Sequence, residues 1–168
     1  ILTNGATMVQ GLAAGAIRVG DAAGITGTLI IDNSTLTHAA GNIFIPFIAS
    51  GIGVVNQKGG TVSGADIAFC NGASGNGTYN MVGGTLEAVR IRRVNTTTTT
   101  AAISFDGSTL RPTAANVNFF TNLTTAEIKS GGLTIDTAGI DITVGQGFSG
   151  AGTLTKSGPG NLTLNTAT

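Results

Sequence analysis

Helix formers, charge and bulky aromatics are scarce in this chain, and each scarcity excludes something. Among 168 residues there is no Trp, one Cys, one His and one Tyr. The lone Cys70 rules out an internal disulfide and any multi-cysteine metal site, and with no His nearby it is expected to be a small packed or inert thiol. Charged residues make up only 10%, eight of each sign, for a net charge of zero. Basic residues cluster only at Arg90, Arg92 and Arg93, so nucleic acid is not expected as a main partner. Glu occurs only at Glu87 and Glu127, and Leu-Glu-Lys runs typical of helices are missing. No run of about 18 apolar residues exists, so no helical membrane-spanning segment is expected. Ile1 is not preceded by a signal peptide, which suggests a processed chain or a fragment.

What remains is 27 Gly together with abundant Thr, Asn, Ser, Val and Ile, a composition of short strands and tight turns. These residues are ordered into a repeat. Gly27-Thr28-Leu29-Ile30-Ile31-Asp32-Asn33-Ser34-Thr35-Leu36 is echoed from Gly53 to Val62, from Gly77 to Leu86 and from Ala101 to Leu110. The steps are 26, 24 and 24 residues. A second alternating pair precedes each return: Ile17 and Val19, Ile43 and Ile45, Ile67 and Phe69, Ile91 and Arg93. Looser copies follow around Ile128 to Ile135 and Leu154 to Leu164, and Gly5 to Met8 reads as a partial one.

Apolar residues at i and i+2 share one strand face, and the Gly-Gly or Asn-Ser pair turns the chain. Three short strands with their turns fill about 25 residues, the circumference of one coil of a parallel β-helix (solenoid). Stacked coils place Leu29, Val55, Tyr79 and Ile103 in one ladder and Leu36, Val62, Leu86 and Leu110 in another. Turns are expected at Gly59, Gly60, Gly83, Gly84, Gly107, Gly131 and Gly132. The whole chain, residues 1–168, reads as one all-β domain of about six or seven coils, a rod on the order of 30 Å long. A β-sandwich would not explain the offset of whole motifs, and a propeller needs a longer period. A left-handed hexapeptide helix would show a six-residue rhythm, which is absent.

Two ladder positions break the pattern. Gln57 falls where Ile31, Met81 and Phe105 belong, and Arg93 falls where Phe69 belongs. A polar group there must find a partner or reach solvent, so a local register shift or an opened coil is expected. The Thr96–Thr100 run favours an opened coil after Arg93.

The segment Ser149 to Leu164 resembles the autotransporter-associated β-strand repeat, G-x-G-x-L-x-K-x-G-x-G-x-L-x-L. Gly150, Gly152, Leu154, Lys156, Gly158, Gly160, Leu162 and Leu164 all fit it. Phe105 to Arg111 and Gly131 to Thr137 are similar to the segments that precede that repeat, and the Gly-Gly-Thr stretches resemble coils of the same secreted proteins. The resemblance implies a right-handed parallel β-helix with coils of about 24–26 residues, carried outside a bacterial cell as part of a longer secreted chain. It implies a shaft or adhesive module, and no catalytic residues.

Three readings of function follow. The first is a non-catalytic structural or adhesive module at the bacterial surface, needing no cofactor, whose partners are further coils, other copies, glycans or a host surface. The second is an extracellular fibre subunit stacking end to end, because no cap is evident at Ile1 or Thr168 and open sheet edges invite pairing. The third is a polysaccharide lyase or hydrolase, as other right-handed β-helices are. That chemistry needs paired carboxylates or a Ca2+ site with a base. Asp32 stacks over Lys58, Val82 and Asp106, which is no pair. Asp136 and Asp141 bracket a turn, read as solvated rather than as a weak Ca2+ site. His38 is expected at a surface or turn, and Arg90, Arg92 and Arg93 on a solvated face, with an acidic glycan or carboxylate as their alternative partner. Gly20–Gly24 and Gly72–Gly77 read as loops between coils, without the Lys and helix of a phosphate site.

Overall fold

Alternation of apolar and polar residues with period two, interrupted by Gly and Asn every few residues, leaves the chain no long element to form. The computed structural model describes residues 1–10, 15–38, 40–97 and 99–165. Thr98 of the threonine run and the terminal Thr168 lie outside them. Those residues form strands and turns and no helix. The first strands are β1 (Thr7–Val9), β2 (Ala16–Arg18), β3 (Thr26–Ile31), β4 (Ser34–His38), β5 (Asn42–Ile45) and β6 (Ile52–Gln57). Next come β7 (Gly60–Phe69), β8 (Asn76–Val82), β9 (Thr85–Arg93), β10 (Thr100–Asp106), β11 (Ser108–Pro112) and β12 (Asn116–Thr121). Five short ones follow: β13 (Thr125–Ile128), β14 (Leu133–Asp136), β15 (Ile142–Val144), β16 (Leu154–Ser157) and β17 (Leu162–Leu164).

All strand pairs are parallel, and the chain winds as a β-solenoid of about six turns. Each full coil has three faces. The first is the sheet β3-β6-β8-β10-β13. The second runs β1-β4-β7-β9-β11-β14-β16, and the third continues from it through β2-β5-β7-β9-β12-β15-β17. Because β7 and β9 run without interruption from the second face into the third, these two faces form one 12-stranded sheet.

The pairing register carries the repeat. Gly27 pairs with Gly53, Gly53 with Gly77 and Gly77 with Ala101. Leu36, Val62, Leu86, Leu110 and Ile135 form one continuous inner ladder. Leu29, Val55, Tyr79 and Ile103 form another, ending at Ala126. Ile17, Ile43, Ile67, Ile91, Phe120 and Val144 line the third face. Leu29 and Ile17 in the first coil are half-buried, whereas their counterparts above are almost wholly enclosed. Coil length changes beyond Thr113. Ile91 reaches Phe120, a step of 29, but Ile135 reaches Lys156 in 21. Phe105, Phe120 and Phe148 fill the wider interior, with centroids 5.3 to 6.2 Å apart.

The corner between the first and second faces needs a left-handed residue. Gly59, Gly83 and Gly107 take φ of 115°, 84° and 69°, and Asn33 takes the same place at 46°. Asn tolerates this region better than most side chains, which is why Asn-Ser can stand for Gly-Gly in the first copy.

Gln57 causes neither a register shift nor an opened coil. It stays in line between Ile31 and Met81 and is fully buried. The Tyr79 hydroxyl donates to its Oε1 at 2.8 Å, and its Nε2 donates to the carbonyls of Thr85 at 3.0 Å and Gly60 at 3.2 Å. One buried amide thus joins two successive coils. Burial pushes the Tyr79 phenol far up, so it remains a donor. Arg93 also keeps register with Phe69. Its Nη1 donates to the carbonyl of Thr99 and to Oγ1 of Thr124 in the next coil, both at 3.1 Å.

Chemical denaturation is expected to show Tyr79→Phe destabilised by about 1–3 kcal/mol, the cost of an unsatisfied buried acceptor. Gln57→Met, although it copies Met81 one coil up, should cost more than Tyr79→Phe because it strands three partners.

Candidate binding faces

Side chains alternate in and out along each strand, so a register that stacks core residues also stacks whatever lies between them. On the second face Thr7, Thr35, Thr61, Thr85, Thr109, Thr134 and Thr155 stand in one column, each in register with the next. All are at least partly exposed. An open groove of about 210 Å³ runs beside Thr109, Thr134 and Thr155, walled by Gly107, Ser108, Gly131 and Gly132.

Two residues further along, the same strands carry charge of alternating sign. Arg111 reaches down to Glu87 at 3.3 Å and up to Asp136 at 2.9 Å. Asp136 also accepts from the backbone N–H of Ala138, at 3.1 Å. That bond, then Arg111, hold its carboxyl below the usual range, and Asp136 in turn holds the Arg111 guanidinium up. Asp141 is lowered as well, chiefly by the backbone N–H of Asn161, which donates to it at 2.7 Å. Asp136 and Asp141 therefore serve different partners, and among the described residues no three His, Cys, Asp or Glu side chains could hold a metal ion. On the first face Asn80 donates to Asn56 at 2.9 Å and accepts from Ser104 at 3.2 Å, a polar ladder across three coils.

The third face holds the arginines. Arg90 grips Asp66 of the coil below through two bonds, at 2.7 and 3.3 Å, and Arg92 donates to the same carboxylate at 3.1 Å. These two arginines are clamped rather than simply solvated. The 24-residue step that aligns Ile67 with Ile91 also aligns Asp66 with Arg90, a signal already present in the sequence.

His38 is not at the surface. It is fully buried, with Nδ1 facing the carbonyl of Gln10 and Nε2 that of Gly15, each at 3.1 Å. Alternation from Leu36 points it inward, since residues two apart share a face. Cys70 is fully enclosed too; burial raises its thiol, which donates to the carbonyls of Thr100 and Gly75. Of the two glycine-rich stretches, Gly20–Gly24 is a loop, whereas Asn76 and Gly77 already belong to β8.

The glycine-rich motif from Gly150 to Leu164 forms the last described coil, β16 and β17 flanking Gly158-Pro159-Gly160. Gly152 lies directly against the coil below, where a Cβ would overlap the Lys129 carbonyl. Leu154 packs on Leu133, and Leu162 on Ile142, while Lys156 donates to the Gly158 carbonyl across the turn.

Comparison with protein-family models, with characterised proteins and with solved structures finds no match to this chain. Its solenoid fold rests on its own geometry.

Gly152→Ala should lower the melting temperature clearly, whereas Gly147→Ala, with nothing within 4 Å of its Cβ, should leave it nearly unchanged. Acid should act through Asp136 and Asp141. Their folded pKa values lie below the unfolded ones, so the stabilisation is present above about pH 4 and is lost as the pH falls through the folded values. Melting curves from pH 5 to pH 2 should therefore fall, and Asp136→Asn should flatten part of that fall.

Proposed function

We propose that this chain is a length of non-catalytic shaft or adhesive module from a bacterial cell-surface or secreted protein. The observation that carries this reading is where the outward polar groups are spent. Glu87, Arg111 and Asp136 join three successive coils, Asp66 joins its coil to Arg90 and Arg92, and Asn56, Asn80 and Ser104 join three coils on another face. Such groups tie each coil to the next and stiffen the solenoid along its axis. A catalytic centre instead requires titratable groups that converge on a shared cleft with donors left over for a substrate. The resemblance of Gly150 to Leu164 to the autotransporter-associated repeat supports export, and the hydroxyl- and amide-rich surface suits contact with glycans.

Small-angle scattering of the purified chain should report a rod lengthening by about 4.8 Å per coil. Incubation with pectin-like glycans should release no new chain ends. Release that disappears on changing Asp136 or Asp141 would replace the shaft with an enzyme.

A further inference from the structure

Along the third face the outward positions form a row whose chemistry differs from the other two. Arg18 pairs with Phe44, Phe44 with Ala68, and Ala68, itself fully covered by its neighbours, with Arg92. Phe44 stacks edge-on against Phe47 at 4.9 Å, and the Arg18 guanidinium lies 3.8 Å from the Phe47 ring centroid. Beside this row run Asn42, Asp66 and Arg90. An open groove of about 410 Å³ is cut into its lower end, lined by Gly15, Arg18, Ala40, Gly41, Asn42 and Phe44.

The charge on this face does not balance. Arg18 has Asp21 at 3.2 Å, but Asp66 must serve both Arg90 and Arg92. Arg93, beside them in sequence, stands over Phe69 in the inner ladder and spends its Nη1 on a carbonyl and a hydroxyl. Among the described residues, three outward guanidinium groups on this face thus meet two carboxylates, whereas the chain as a whole has zero net charge. Arg90 and Arg92 remain 36% and 29% exposed, so both side chains are reachable from solvent. Guanidinium matches a carboxylate in shape, and Arg90 already holds one in a two-bond grip.

We propose that this face binds a linear polysaccharide bearing carboxylates, laid along the solenoid axis. Arg92 and Arg18 lie three strand spacings apart, about 14 Å, with the half-buried phenylalanine pair between them. An extended chain of a few sugars spans that interval. Its uronate groups meet guanidinium at either end, and the C–H face of a middle sugar rests on Phe44. Asn42 and the Gly41 and Ala40 edge of the groove supply amide and backbone partners for hydroxyls. A nucleic-acid duplex, whose bases are paired and stacked inside, would use the arginines but not the aromatic pair. Individual contacts of this kind are weak, and repetition along a polymer raises retention.

This inference rests on the adhesive half of the reading above. The test is retention of the purified chain on immobilised polygalacturonate at physiological salt, read by biolayer interferometry, with neutral dextran as reference. Arg92→Gln leaves the two-bond Arg90–Asp66 pair in place, and Arg18→Gln removes an exposed ion pair with Asp21 and the stack on Phe47 but no core residue, so both should fold, as circular dichroism would check. Each is expected to weaken retention about tenfold, whereas Arg111→Gln, an equal charge change on the second face, should alter it less than twofold. Equal binding to dextran, equal competition by duplex DNA, or an equal loss with Arg111→Gln would overturn the proposal. So would wild-type retention by both third-face variants. Cleavage of the polygalacturonate would end the shaft reading while leaving the binding face standing, and an inert rod that ignores the polymer would do the reverse.

Discussion

In-register parallel pairing between coils is the constraint on which everything else here depends. A coil of three short strands cannot bury its own apolar face or satisfy its own backbone; both needs are met only by the coils above and below. Each residue is therefore judged by what stands one step along the axis. Inner positions must stay apolar, as from Leu36 through Ile135, or bring their own partners, as Gln57 does with Tyr79. Outer positions inherit the same order without needing it for burial, and like groups fall into columns.

This order turns weak interactions into a directional scaffold. A single exposed ion pair is worth little, a few tenths of a kcal/mol to about 1 kcal/mol. Arg111 between Glu87 and Asp136, and Asp66 between Arg90 and Arg92, are shared pairs in which one side chain is held from two sides. Such sharing favours one register over its neighbours, because a slip by one residue would set charged groups facing the core. The same sharing leaves the third face with more guanidinium groups than carboxylates, while on the second one guanidinium serves two carboxylates beside a column of threonine hydroxyls.

Much of the fold was legible in the sequence because the coils from Thr26 to Pro112 keep nearly constant length. The steps of 26, 24 and 24 are the pairing register itself. Beyond Thr113 the steps vary between the faces, Ala126 replaces a large ladder residue, and distant aromatic groups fill the space, so no fixed offset reveals the pairing. The polar residues were harder to read for a different reason. His38 and Gln57 sit at inward positions that alternation identifies, but their partners are backbone carbonyls or a hydroxyl in another coil, which sequence does not display. The Asp66 clamp could have been read, since the step that aligns isoleucines aligns these charges as well. The Arg18–Phe47 stack could not, because the two meet across coils through a turn that breaks the repeat.

The most direct test of the account is a set of pulsed dipolar distances along the threonine column, with spin labels at cysteines replacing Thr7 and one further member in a Cys70→Ser background. The solenoid predicts backbone separations that grow evenly by about 4.8 Å per coil, about 19 Å to Thr109 and about 29 Å to Thr155. Distances that fail to rise in order from Thr61 to Thr155, or that fold back on themselves, would contradict it.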